Sequence, residues 1–312
     1  MDIKNVVVAG GGVLGSQIAY QTAFKGFNVK VWLRSEDSIG RAKPKFERLK
    51  NIYLNTLEAM KTNPLAYARG FTDSKELSDS EIDALKDQAI KAYENITLTT
   101  SYEEAFKDAD FVIESIAEIP AEKISLYEEM AKYLPEHTVI ATNSSTLLPS
   151  SFAEYTARPE KYLALHFANE IWRNNTAEVM GHPGTEQKYF DETVEFAKAI
   201  GMIPLKLNKE QPGYILNSLL VPLLDAAKAL LANDVSDYQT IDKTWKYATG
   251  SPMGPFQIMD IVGLTTVYNI SSMKPDSKDP ESLNGKVVAM LKKYIDEGKT
   301  GVNAGEGFYK YK

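Results

Sequence analysis

The sequence has 312 residues and no cysteine. Disulfides, thiolate metal sites and cysteine nucleophiles are therefore excluded, and the absence fits a reducing compartment. Histidine is scarce too: His137, His166 and His182 are all there is, so any imidazole chemistry rests on these three. Positive charge is not in surplus. The formal net charge is −7, which argues against broad nucleic-acid binding because that needs a basic footprint. The apolar run near the start, Ile3 to Ala9, is too short for a signal peptide or a membrane span. No internal repeat or low-complexity tract is present. What remains is ordinary globular composition, 44% hydrophobic and 25% charged, long enough for two domains. The expectation is a soluble cytoplasmic protein with no nucleic-acid or membrane partner.

Strand and helix patterns alternate through the first two thirds. Ile3 to Ala9 is valine-rich and reads as a buried parallel strand. A helix pattern runs from Leu14 to Lys25, and a second strand from Asn28 to Leu33. Residues 38–93 carry few strand signals and read as a helical insertion projecting from the sheet, with a basic stretch at Arg41, Lys43, Lys45, Arg48 and Lys50 that fits a solvated face first and ligand phosphates second. Further strands are expected at 96–99, 109–115, 138–142, 162–167 and 203–207, and helices at 102–107, 121–133 and 185–200. This alternation predicts an α/β domain with a mostly parallel sheet, covered on both faces, over residues 1–207. After Gln211-Pro212-Gly213 strand signals nearly vanish. Helical patterns at 214–231, 237–247 and 283–297 predict an all-α C-terminal domain over residues 208–312.

Gly10-Gly11-Gly12-Val13-Leu14-Gly15 fits G-x-G-x-x-G between a strand and a helix, the context that makes this pattern a dinucleotide-binding signal. Gly10 permits the turn, Gly12 lets the backbone approach a pyrophosphate, and Gly15 lets helix and strand pack closely. The helix start at Val13 and Leu14 offers free N–H groups to phosphate. At the end of the second strand, where an NAD site usually has an acidic residue, stand Leu33, Arg34 and Ser35. Leu33 accepts no hydrogen bond, whereas Arg34 and Ser35 can hold a 2′-phosphate. The expectation is NADP(H) over NAD(H), although Glu36 and Asp37 close by can restore the opposite preference.

Among the histidines, His137 and His182 lie in loops and are expected at the surface. His166 ends an apolar strand, where α/β folds place ligands. A satisfied core histidine fits that position equally well.

The remaining motifs occur in one order along the chain. They are Glu114-Ser115-Ile116-Ala117-Glu118, Lys123, Thr142-Asn143-Ser144-Ser145, His166-Phe167-Ala168-Asn169, Glu178, Gln211-Pro212-Gly213-Tyr214-Ile215-Leu216-Asn217, Gly254-Pro255-Phe256, and Gly305-Glu306-Gly307-Phe308-Tyr309-Lys310-Tyr311-Lys312. Over essentially the whole chain this resembles the L-3-hydroxyacyl-CoA dehydrogenase family, which includes 3-hydroxybutyryl-CoA dehydrogenases. The resemblance implies a Rossmann-type domain followed by a helical substrate and dimerisation domain. It also implies hydride transfer between NAD(P)(H) and the 3-hydroxy or 3-keto group of a short-chain acyl-CoA. His166 would be the general base or acid, Glu178 would orient it, and Ser145 and Asn217 would bond the reacting oxygen. Glu118, Lys123 and Asn143 would contact the cofactor, and the protein would be a homodimer. No metal is implied.

Taken singly these residues say less. Ser145 also fits a helix cap, while Glu178 and Lys123 also fit a solvated surface. The family motif usually reads His-Phe-Phe-Asn-Pro, whereas this chain has Ala168 and Glu170, which bears on the acyl group. Relatives with the same fold act on free hydroxy acids or carnitine, so a non-CoA hydroxy acid is the alternative substrate. A non-catalytic cofactor-binding protein is the alternative outside enzymes.

Overall fold

The structure, a computed structural model, describes residues 3–311; Met1, Asp2 and the Lys312 that ends the closing motif lie outside the described residues. The chain divides into two compact units, Met1–Ile215 and Leu216–Lys312. Residues 208–215, expected with the second domain, belong with the first unit.

The first unit runs β1 (Asn5–Ala9), α1 (Val13–Phe24), β2 (Asn28–Trp32), α2 (Glu36–Met60), α3 (Asp79–Asn95), β3 (Thr97–Thr99), α4 (Tyr102–Phe106), β4 (Phe111–Glu114), α5 (Pro120–Met130), β5 (Val139–Thr142), β6 (Tyr162–Phe167), β7 (Thr176–Gly181), α6 (Gln187–Ala199) and β8 (Ile203–Leu207). The strands form one sheet in the order β3-β2-β1-β4-β5-β6-β7-β8. All neighbours are parallel except β6 and β7. The Rossmann order 3-2-1-4-5-6 is thus present, extended by two strands that run the other way. Val6, Val7 and Val8 are almost wholly buried, as a strand covered on both faces requires.

The helical insertion does not project from the sheet. Phe46, Leu49, Tyr53 and Leu57 of α2 and Ile82 and Ala89 of α3 join the same buried cluster as Val8 of β1 and Ile18 of α1. Tyr53 also meets Trp172 at 5.6 Å between ring centroids. The apolar stripe of a charged-looking helix decided this, since such a stripe must be buried against another element.

The chain then continues into α7 (Tyr214–Ala232), α8 (Tyr238–Thr249), α9 (Pro255–Val262), α10 (Leu264–Ser272) and α11 (Leu283–Asp296). Neither α9 nor α10 is legible in the sequence. They have 8 and 9 residues and are separated by Gly263 at φ 91°, too short for helical periodicity to register. Leu224 and Ala227 of α7 pack with Phe256, Met259, Leu264 and Leu291 in the second core. Leu219 is instead 70% exposed. By length and composition α7 could cross a membrane, but Lys228 in its interior is buried against Ser271, at 2.9 Å, and Asp225 pairs with Lys274.

Candidate active site

The glycine turn is built as its spacing implies. Gly10 sits at φ 115°, and a Cβ there would lie 2.4 Å from the Ser115 carbonyl oxygen. A Cβ on Gly15 would lie 2.3 Å from the Gly10 oxygen. Gly12 differs: a Cβ would meet nothing within 4 Å. Packing therefore demands glycine at 10 and 15, while at Gly12 the space above the backbone is left for a ligand. Gly12 is also the N-cap of α1 and supplies no side-chain cap, so the amides of Val13 and Leu14 point out of the helix end towards that space.

A cavity of about 660 Å³ opens beside the turn, lined by Gly10, Gly12, Leu33, Arg34, Arg41 and Lys45 among others. The residues present fit a dinucleotide: an open glycine, a helix N-terminus, and cations around the pocket. Lys45 donates to the Gly11 carbonyl at 2.7 Å, so part of the basic stretch faces this pocket rather than solvent. Leu33 is 4% exposed and offers no acceptor. Arg34 pairs with Glu122 at 3.1 Å, a carboxylate neighbour that its sequence position does not reveal. Ser35 is the N-cap of α2, accepting from the Ser38 amide at 3.3 Å.

His166 is the last residue but one of β6, and Glu178 lies directly opposite it on β7. Side chains so paired share one face, about 4.5–5.5 Å apart at Cβ. Nδ1 of His166 is 3.0 Å from Glu178 Oε2, and Nε2 is 3.1 Å from Ser145 Oγ. An ionised carboxylate can only accept, so in the neutral imidazole Nδ1 carries the proton and Nε2 turns its lone pair to Ser145 Oγ. Both partners are buried, His166 at 6% and Glu178 at 3% exposure. The alternative readings do not hold: Glu178 is buried rather than solvated, and no α-helix starts at Ser145.

The other two histidines divide. His137 is exposed and lies 3.0 Å from Asp110 Oδ1. His182, expected at the surface, is half-buried with Nε2 2.9 Å from the Pro159 carbonyl. Its turn folds back on the strand end, which the sequence did not indicate.

The residues that the resemblance assigns to the cofactor are held by bonds within the protein. Glu118 accepts from Ser144 Oγ at 2.7 Å and from the Ser145 amide at 2.7 Å, fixing the serine turn. Asn143 donates to Ser115 Oγ at 3.2 Å and accepts the Phe167 amide at 3.1 Å, tying the ends of β4 and β6 together. Lys123, on α5, is 1% exposed, with Nζ 2.7 Å from Glu114 Oε1 and 3.9 Å from Glu118 Oε2. Glu114 also accepts from Tyr127, Thr142 and the Ile116 amide. Asn217 lies on α7 in the second unit and is half-buried.

Three contributors were not legible as site residues. Tyr214 stacks on the His166 ring, with centroids 4.3 Å apart and planes 9° apart. Its hydroxyl donates to the Ser144 carbonyl at 2.7 Å. Burial, then the carboxylates Glu118 and Glu178, push its phenol far above the ordinary range, so it stays a neutral donor. Its backbone sits at φ 55°, a conformation that costs a bulky residue about 1–3 kcal/mol. The next amide, of Ile215, donates to Glu178 Oε1 at 2.9 Å. Finally Gln17 of α1 accepts the Glu170 amide at 2.8 Å. Only the Gln-Pro-Gly-Tyr segment carried a signal, as part of the ordered motifs.

Glu170 itself sits at φ 57°. Proline is locked near −65° and lacks an N–H, so the departure from the family motif is a change of backbone path, not only of side chain.

Residues 5–211 match the family described as 3-hydroxyacyl-CoA dehydrogenase, NAD binding domain, and residues 213–311 its C-terminal domain. The human mitochondrial hydroxyacyl-coenzyme A dehydrogenase is 32% identical, covering 99% of this chain and 92% of the relative. A probable 3-hydroxybutyryl-CoA dehydrogenase of Bacillus subtilis is 28% identical, covering 100% and 98%. Among solved structures, a diketoreductase described by its substrate-directed dual catalysis of dicarbonyl compounds is 47% identical, with a TM-score of 0.86 and full coverage of both chains. With a nucleotide fold, a glycine turn open at Gly12 and a buried histidine–glutamate pair in register, the chain belongs to the 3-hydroxyacyl-CoA dehydrogenase family, and its NAD-binding domain marks it as an NAD-linked oxidoreductase.

Proposed function

We propose that the protein moves a hydride between NAD(P)(H) and the 3-hydroxy or 3-keto carbon of a short-chain L-3-hydroxyacyl-CoA, with His166 handling the proton. The observation that carries this is the chain Ser145 Oγ–His166 Nε2, His166 Nδ1–Glu178 Oε2, at 3.1 and 3.0 Å. A bound nicotinamide supplies or accepts the hydride. In oxidation, Nε2 takes the hydroxyl proton while Glu178 stabilises the imidazolium; in reduction the same proton returns to the developing alkoxide. Ser145 Oγ, held by the Glu118-anchored turn, swings its single hydroxyl proton from Nε2 to the reacting oxygen when substrate binds.

A second reading is favoured by two observations. The loop after His166 follows a path closed to proline at Glu170, and the diketoreductase shares 47% identity. Both support a small CoA-free dicarbonyl or hydroxy acid as substrate. For the cofactor, Leu33 without an acceptor and the cations Arg34, Arg41 and Lys45 around the pocket support NADP(H) over NAD(H). The exposed apolar residues Leu219 and Leu230 of α7 support a homodimer.

The test is a matrix of acetoacetyl-CoA, a free 3-keto ester and a dicarbonyl compound against NADH and NADPH. Turnover of the thioester above the free ketones is expected. No turnover with any acyl-CoA sinks the first reading in favour of the second, and equal or better kcat/KM with NADH overturns the NADP(H) preference. Sedimentation at micromolar concentration gives the oligomeric state, and a monomer would refute the dimer.

A further inference from the structure

Glu178 spends one carboxylate oxygen on His166 Nδ1 and the other on the Ile215 amide. The residue before that amide, Tyr214, lays its ring on the imidazole at 4.3 Å and 9°. The same short segment therefore touches both members of the histidine–glutamate pair, one through a ring face and one through a backbone donor. The segment is itself anchored. The Tyr214 amide donates to the Gln211 carbonyl at 3.0 Å, and its hydroxyl to the Ser144 carbonyl at 2.7 Å. Ser144 precedes the serine whose Oγ meets His166 Nε2. Tyr214 thus connects the turn on one side of the imidazole to the carboxylate on the other.

The backbone at Tyr214 is left-handed, at φ 55°, directly after Gly213 at φ 79°. A bulky residue holds such a conformation only when its surroundings over-determine it. Glycine would relieve the backbone and remove the ring, so the ring is the feature that the strained position carries.

We infer that Tyr214 is a positioning residue for the reaction. Its ring fixes the plane of the His166 imidazole so that Nε2 stays aimed along the proton-transfer line, and its π face favours the ring when it carries charge. The Ile215 amide, donating to Glu178 Oε1 at 2.9 Å, favours the carboxylate rotamer that meets Nδ1. This rests on the acid–base role of His166 given above.

The test compares Tyr214→Phe, Tyr214→Met, Tyr214→Gly and His166→Ala in the full chain. Tyr214→Phe keeps the flat face and loses only the hydroxyl anchor; its kcat should stay within about threefold of the parent. Tyr214→Met fills space without a flat face, and its kcat should fall about 10–100-fold, as misplacement of a reacting group does. KM for the carbonyl substrate and Kd for NAD(P)H should remain within about twofold in both. In NMR of the folded proteins, the His166 Cε1 proton should lose its upfield ring-current displacement in Met and Gly but keep it in Phe. Assignment is direct because the chain has three histidines. If Met retains parental kcat while His166→Ala abolishes it, the positioning role is refuted. Equal losses in kcat, KM and cofactor affinity that Phe does not rescue also refute it, and mark a structural residue. If Met and Gly fail to fold, the ring-current displacement in Phe and in the parent decides: without it the stack does not exist in solution. Parental kcat in His166→Ala would instead overturn the acid–base reading on which the inference stands.

Discussion

His166 and Glu178 stand directly opposite each other across the antiparallel seam between β6 and β7, with Nδ1 and Oε2 3.0 Å apart. The twelve-residue spacing is thus a hairpin register: two strand positions that the return of the chain brings to the same point on the same face. Replacing His166 with Ala should lower kcat about 10²–10⁴-fold while leaving the Kd for the cofactor unchanged, as titrated by nucleotide fluorescence. Glu178→Gln should also lower kcat strongly, because an amide can present a donor to Nδ1 and favour the tautomer with the proton on Nε2. Unaltered turnover in either variant would remove the proposed proton route.

The two glycines of the turn should fail differently. Gly15→Ala places a methyl 2.3 Å from the Gly10 carbonyl, so the turn must move and the melting temperature should fall even without ligand. Gly12→Ala meets nothing within 4 Å and should melt like the parent. It should, however, lose most of the thermal shift that saturating cofactor gives the parent, which is about 2.7 kcal/mol at a hundredfold excess over Kd. A Gly12→Ala protein that keeps the full shift would place the pyrophosphate elsewhere.

Lys123 and Glu114 are both essentially buried, at 1% and 0% exposure. Lys123→Met leaves a carboxylate buried with only neutral donors and should cost about 3–5 kcal/mol. The double variant Lys123→Met with Glu114→Gln should recover much of that loss. Urea denaturation measures both, and a single variant as stable as the parent would show that the pair is not buried in solution.

Restoring the family proline should harm this chain. Glu170→Pro demands φ near −65° where the backbone sits at 57°, and removes the amide that donates to Gln17 at 2.8 Å. A loss of more than about 1 kcal/mol is expected from such an incompatible substitution, again by urea denaturation. Tolerance without loss would mean that the loop adopts the family's path after all.

Much of the nucleotide fold was legible because its signals are local. The valine run of β1, the glycine spacing and the helix after it each state their structure within a few residues, and Tyr162–Phe167 and Ile203–Leu207 occupy their expected bounds. Strand β7 was not read, since an acidic residue in its middle breaks the apolar run, and the burial of Glu178 depends on a partner twelve positions away. Charge dominates the composition of the helical insertion and points it away from the sheet, while its few apolar positions at Phe46, Leu49, Tyr53 and Leu57 decide where it packs.

By itself the sequence determined the residue types available for chemistry: three imidazoles, no thiol, a glycine turn, and an ordered set of motifs that names the family. Tertiary structure alone decided which groups meet. Lys123 went to Glu114, Arg34 gained Glu122, and Tyr214 came to lie flat on His166. Those pairings link residues up to 88 positions apart, for Arg34 and Glu122. They are set by how strands register and where buried charge can find a partner, and neither condition is expressed in any local stretch of chain.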